Sequence, residues 1–445
     1  MADPPQTRLT LPQIANTWWP LAASWLLMGM ELPALSAIVA RLADPEINLA
    51  AYGGVVFPLA LIIESPIIML LAASTALSKD WDSYRKIRKF MMVTSAILTG
   101  LHLLIALTPL YYFVVEGLIG APQEIVEPAR TGLLIMFPWT WAIAYRRFNQ
   151  GMLIRFGHSR AISVGTGIRL LVDLVVLGIG FWMKSAGIVV ATTAVAAGVV
   201  AEAVYVGFII RPVIRRELVF APPIDPPLSF RDFREFYVPL AMTSLITLIV
   251  QPIGSAALSR MPQALDSLAV WPVVTGFIFL LRGMGIAFNE VVVTLLDEPN
   301  STRSLRRFTV LLTMSTSLSL LLVSATPLAK FWFEQISALS PALATLAHNA
   351  LWLAFLLPGL NTLQSWYQGA ILHSKKTHGI TEAVIVFIVA ISAVLWGGVS
   401  LKKYVGLYVG ILAFTLGMLV QTIWLWYRSR PAMQATCERD ARVGG

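Results

Sequence analysis

Apolar stretches of about 20 residues recur along this chain between short polar breaks, which is the length an α-helix needs to cross bilayer hydrocarbon. Twelve such stretches can be drawn. Six run over 14–40, 50–77, 90–114, 128–148, 160–183 and 186–210, and six more over 236–260, 267–295, 308–333, 342–372, 379–399 and 404–427. No span shows the alternation of a strand, so the predicted fold class is an all-α integral membrane protein. The pattern is also written twice. Residues 88–162 lie over 306–380 at an offset of 218, which puts Arg88, Lys89 and Phe90 on Arg306, Arg307 and Phe308. Thr108-Pro109 then meets Thr326-Pro327, and Gln150-Gly151 meets Gln368-Gly369. Upstream the offset is 219: Pro20, Leu21 and Ala22 match Pro239, Leu240 and Ala241, and Pro33, Ser36 and Arg41 match Pro252, Ser255 and Arg260.

Six spans per copy is an even number, so both copies enter the bilayer from the same side and the repeat is parallel. The expected organisation is two pseudo-symmetric six-helix lobes, 1–210 and 236–428. A connector at 211–235 joins them, and a polar tail covers 429–445. The connector holds Pro222, Pro223, Pro226 and Pro227, a composition that makes a semi-rigid spacer.

Composition agrees with a membrane chain. Hydrophobic residues make up 57% and charged residues 13%, about half the charged share of a soluble domain. The single Cys437 excludes an internal disulfide. No small-residue cleavage site separates the first apolar run from a spanning helix. Basic residues crowd the even-numbered loops and both termini, as in Lys79, Arg85, Lys86, Arg88 and Lys89, or Arg211, Arg215 and Arg216. The odd-numbered loops hold few. This asymmetry predicts both termini in the cytoplasm. It accounts for the net charge of +9 through anionic lipid and without nucleic acid. The expected partners are the bilayer and a small-molecule solute, and the expected unit is a monomer in a bacterial inner membrane. No phosphate-binding GxxxxGK[ST] loop is present, so the chain does not itself use ATP. No Ser/His/Asp or Cys/His set stands out, so an enzyme is not expected. No cofactor is expected beyond Na⁺ or H⁺ as a coupling ion.

Charge inside a bilayer is expensive and marks function by default. Glu31 lies in span 1 two residues before Pro33, where a proline frees backbone carbonyls beside a carboxylate. The second copy has Val250 and Gln251 there. Glu31, Asp173 in span 5 and Glu202 in span 6 are the ion-coupling candidates. Arg169 and Asp173, four apart, can also simply pair on one helix face. Glu64 in span 2 and Arg282 in span 8 fall at near-equivalent places in the two copies. They are read as a cavity pair or gate, or Arg282 as the fork that grips an anionic group. The other substrate-binding candidates are Arg146, Arg147, Gln251, Asn361, Gln364 and Gln368. Asn361, Gln364 and Gln368 follow at three and four residues and so share one face of span 10. Such a face lines water or glues helices. His102 and His348 match no metal spacing and read as packing residues. Trp18, Trp19, Trp332, Trp424 and Trp426 fit the interfacial belt.

Ala51-Tyr52-Gly53, Pro239-Leu240-Ala241, Pro252-Ile253 followed by Ser259-Arg260, and Ser374-Lys375-Lys376-Thr377 come in an order that resembles the MOP flippase superfamily, which includes the MATE exporters. Within it the chain is most similar to the progressive ankylosis (ANK) branch. The resemblance implies a secondary-active, alternating-access exporter of a small, anionic organic solute such as citrate, a nucleotide or pyrophosphate, coupled to H⁺ or Na⁺. Two other readings stay open: cation-coupled multidrug efflux of the MATE type, and a flippase for lipid-linked precursors.

Overall fold

The computed structural model describes residues 9–443 apart from 297, 299 and 375–377, and of 441–443 it describes the backbone alone. Arg8 and the Lys375-Lys376-Thr377 part of the last motif lie outside the described residues. The first copy consists of α1 (Leu11–Gly29), α2 (Glu31–Val39), α3 (Pro45–Ala51), α4 (Phe57–Ile68), α5 (Leu70–Leu77) and α6 (Trp81–Leu107). It continues with α7 (Leu110–Tyr112), α8 (Gln123–Ile135), α9 (Phe137–Arg155), α10 (Arg160–Trp182) and α11 (Gly187–Arg216). The second copy opens with α12 (Phe230–Leu248), α13 (Val250–Leu258), α14 (Ala264–Leu295), α15 (Ser301–Ala325) and α16 (Pro327–Phe331). It closes with α17 (Pro341–Ala354), α18 (Leu357–His373), α19 (His378–Leu401) and α20 (Gly406–Val443).

The duplication is carried into the backbone. Left-handed residues at Asp44, Gly120 and Lys184 recur at Gln263, Ala338 and Lys402, at the offsets read from the sequence. Such a conformation is costly for a residue with a Cβ, so its recurrence marks the same turn in both copies. The proline positions also act alike. A proline cannot donate to the carbonyl four residues back. For Pro33 that carbonyl belongs to Gly29, and for Pro252 to Leu248. These are the last residues of α1 and α12.

Among the described residues eleven helical stretches are long and apolar enough to cross a membrane, and the protein is a multi-pass membrane protein. The predicted span at 128–148 is not among them. It is built from α8 and α9, which meet at Met136, and Arg130, Arg146 and Arg147 lower its hydropathy. Two boundaries differ from expectation. The connector shrinks to 217–229, because α11 runs on to Arg216 and α12 starts at Phe230. It is tied to the start of α6: the Ile224 N–H donates to Asp80 Oδ2 (3.1 Å), and Lys86 Nζ donates to the Leu228 carbonyl (2.9 Å). The polar tail is helical, since α20 continues through it. Asp440 accepts from the Thr302 N–H (3.0 Å), an otherwise open donor in the first turn of α15, and Arg439 donates to the Leu296 carbonyl (2.8 Å).

Packing gathers the helices into two compact units, residues 1–33 with 272–445, and residues 34–271. This grouping exchanges the opening helix of each copy relative to chain order. In the first unit, Trp18 Nε1 donates to the Met284 carbonyl (2.9 Å) and its ring meets Phe308 edge-on. Trp18 therefore packs between helices. Ile14, Phe288, Val291, Val292, Leu305 and Trp366 form the core beside it. In the second unit, Tyr237 of α12 donates its hydroxyl to the Pro66 carbonyl of α4, and its ring meets Phe90 of α6 at 5.0 Å. Lipid tails are as apolar as leucine, so such contacts hold by close packing and hydrogen bonds. Gly151 is a tight example. A Cβ there would lie 1.9 Å from Ser74 Oγ, which donates to the Phe148 carbonyl (2.8 Å).

Candidate transport site

In the second unit a proline loosens α4 beside a carboxylate. Pro66 cannot pair the Ile62 carbonyl, which accepts from Ser65 Oγ instead (2.8 Å). Glu64 sits in this turn and is only 1% exposed. Arg146 and Arg147 on α9 lie within its electrostatic reach. Two helices on, Glu202 of α11 is wholly buried and gathers the remaining polar groups. Its Oε2 accepts from Arg146 Nη1 at 2.5 Å and stands 4.0 Å from Arg169 Nε of α10. Its Oε1 accepts from Gln150 Nε2 at 2.9 Å. Arg146 and Gln150, one turn apart on α9, thus hold both carboxylate oxygens. Asp173 is only 3% exposed. Asp173 and Arg169 share the face that presses on Gly198 of α11, where a Cβ would lie 1.8 Å from Asp173 Oδ1.

The cluster is not saturated. Glu64 Oε1, Gln150 Oε1 and the Nε atoms of Arg146 and Arg147 are buried without a hydrogen bond among the described residues. Unmet polar capacity of this kind is costly in a fold and is what a solute or ion can satisfy. No group of three His, Cys, Asp or Glu side chains able to hold a metal occurs among the described residues.

No protein-family model matches the sequence, and no match is found among curated proteins. The solved structures are informative. An inward-facing multidrug resistance MATE transporter of the MOP superfamily matches with a TM-score of 0.71 at 13% identity, over 95% of this chain and 99% of that one. The lipid II flippase MurJ matches with a TM-score of 0.71 at 16% identity, over 94% of this chain and 90% of that one. A MOP superfamily transporter from Pyrococcus furiosus, described as having a binding pocket of reversed polarity, matches with a TM-score of 0.62 at 17% identity, over 96% and 97%.

The fold is that of the MATE and MOP transporters.

Within this MATE-like fold the other unit holds the counterpart site, and its chemistry is different. At the same offsets Arg146 becomes Gln364, Gln150 becomes Gln368 and Glu202 becomes Gln421. Gln364 Nε2 reaches Gln421 Oε1 (3.1 Å), Thr422 Oγ1 (3.1 Å) and the Met418 carbonyl (3.1 Å) of α20. The glycine contact also recurs. Gly417 lies against Phe387 and Ile391 where Gly198 lies against Arg169 and Asp173. One copy builds the contact from ions, the other from amides and apolar side chains.

Arg282 sits apart from this pattern. Its Nε donates to Asn361 Oδ1 (2.9 Å) and its guanidinium lies 5.0 Å from the Phe414 ring centre. The span-10 face is therefore divided: Asn361 holds Arg282, Gln364 binds α20, and Gln368 is half-buried. Glu31 opens α2 at the predicted break and is half-buried, as is Gln251 on α13. Thus Arg146, Gln150, Arg169 and Glu202 form one bonded set with Glu64 and Arg147 beside it, while Arg282 and Asn361 form another. His102 bonds to Thr140 Oγ1 (3.1 Å) and the Leu133 carbonyl (2.8 Å), so it is a packing residue. The sequence reading missed Gln421 and Phe414. The repeat offset marks Gln421, because Gly187, Gly198, Arg211 and Pro212 match Gly406, Gly417, Arg430 and Pro431 at 219.

Proposed function

We propose that this chain is a secondary-active exporter that moves a small anionic organic solute by alternating access, coupled to H⁺ or Na⁺. The observation that carries the reading is the buried, unsaturated cluster of Glu64, Arg146, Arg147, Arg169 and Glu202 in a MATE-like fold. Guanidinium groups present forked donors that suit an anion. Glu202 accepts from Arg146 and pairs with Arg169, and a solute can displace it. Glu31, Asp173 and Glu202 are the carboxylates that take the coupling ion, and Arg282 with Asn361 supplies a second anion contact. In this reading the chain is akin to the ANK branch, both termini are cytoplasmic, and the chain works in a bacterial inner membrane without enzymatic activity. The pocket of reversed polarity described for the Pyrococcus furiosus transporter, and the different function it suggests for that protein, are compatible with a pocket of different chemistry in this chain.

Multidrug efflux is the second reading, favoured by the function named for the inward-facing MATE neighbour. Gradient-driven uptake into proteoliposomes, with a panel of citrate, nucleotides, pyrophosphate and cationic dyes, separates the two. Anion transport that is lost in Glu31→Gln supports the proposal. Transport of dyes alone rejects the solute class, and wild-type flux in Glu31→Gln removes that residue's role.

A further inference from the structure

A cleft of about 660 Å³ opens in the second unit between α6, α9 and α11. Its walls include Thr99, Phe137, Trp141, Tyr145 and Phe208, and Arg211 stands at one end. Phe137, Val204 and Phe208 are 40%, 52% and 58% exposed. In a membrane chain, such apolar exposure faces acyl chains. The cleft has a polarity along its length. Thr99 and Val200 lie near the middle of α6 and α11, whereas Arg211 lies near the end of α11, a turn before Arg215 and Arg216. The Thr99 hydroxyl has no hydrogen bond among the described residues. The Arg211 guanidinium makes no ion pair among them and rests over the Phe208 ring at 4.8 Å.

The internal repeat again supplies a comparison. At an offset of 219, Arg211 matches Arg430 and Gly207 matches Trp426. Arg430 stacks on the Trp426 ring at 3.8 Å. The second copy thus gives its arginine an indole of its own. The first copy places a glycine there, close against Tyr145 Oη (2.8 Å from a Cβ), and leaves a cleft beside an arginine that has no ion pair among the described residues.

We infer that this cleft binds one anionic phospholipid, with an acyl chain along Phe137, Trp141 and Phe208 and its phosphate on Arg211. The volume is that of an ordinary small-ligand site. The walls match a hydrocarbon chain, and a guanidinium grips phosphate through paired N–H donors. The site is separate from the Glu202 cluster and does not depend on the transport reading.

The test is native mass spectrometry of the full chain, released from bilayers of equal phosphatidylglycerol and phosphatidylcholine. The wild type should retain phosphatidylglycerol in preference. Arg211→Gln should reduce that preference by about five-fold, the share of one basic residue at a membrane surface. Gly207→Trp, which installs the second copy's residue, should remove the bound lipid. Helical circular dichroism and melting identify folded variants. If Gly207→Trp does not fold because of Tyr145, Arg211→Gln decides alone. Equal retention of the two lipids by the wild type, or unchanged preference in folded Arg211→Gln, overturns the inference.

Discussion

Glu202 concentrates the physical problem of this protein in one side chain. A carboxylate with no exposure in a membrane helix is unfavourable unless donors surround it, and Arg146, Gln150 and Arg169 do so. Removing one partner of a buried pair strands the other, at a cost of about 3–5 kcal/mol. Glu202→Gln alone should therefore lower the melting temperature in detergent markedly. Arg146→Gln/Glu202→Gln should recover most of that loss, because it reproduces the Gln364–Gln421 contact already present in the same chain. A double variant no more stable than the sum of its singles contradicts this. Asp80 gives a second prediction. Burial pushes its carboxyl up, but hydrogen bonds from Ser83 and Ile224 outweigh that, and it titrates below the usual carboxylate value. A lowered folded value means the stabilisation is fully present above the unfolded value and fades as pH falls through the folded one. Asp80→Asn should cost about 1 kcal/mol at neutral pH, because the charge-assisted hydrogen bonds from Ser83 and Ile224 become neutral ones. The gap to wild type should close in acid unfolding series below about pH 4. A gap constant with pH rules the assignment out. Residues of this kind were half legible. Charges in apolar spans announce themselves, whereas the amide pair of Gln364 and Gln421 shows only when the repeat is followed to the last helix.

Among the elements, prolines and glycines set the geometry. The breaks after Gly29 and Leu248 could be foreseen from Pro33 and Pro252, since each removes the donor for one carbonyl. The split of 123–155 into α8 and α9 carries the same signal in Pro138, in the first turn of α9, although the predicted span at 128–148 is unbroken. The helical tail could not be foreseen, because it depends on Asp440 and Arg439 finding Thr302 and Leu296, far away in sequence. Helix contact distance depends on residues such as Gly151. A larger side chain there must displace Ser74 and the Leu71 carbonyl, and overpacking costs about 1–3 kcal/mol. Gly151→Leu should lower the yield of monodisperse protein and its melting temperature, measured by size-exclusion chromatography and scanning fluorimetry. A wild-type profile would mean that α5 and α9 can separate freely.

At the scale of the molecule the duplication gives an internal control. Two copies of one helical plan make the same contacts, one with charges and one without. In the second copy amides hold the corresponding place without ions, and we propose that the charges of the first copy serve transport. The repeat and the membrane class were legible from periodicity alone. The grouping of α1 with α14 and α15, and of α12 with α4 and α6, was not, because it rests on contacts such as Trp18 with Met284 and Tyr237 with Pro66. The most direct test compares gradient-driven solute flux in proteoliposomes carrying wild type or Arg146→Gln/Glu202→Gln, with both proteins checked for equal insertion and melting. The account predicts a folded double variant whose flux falls to that of protein-free vesicles. Wild-type flux from the double variant would contradict it.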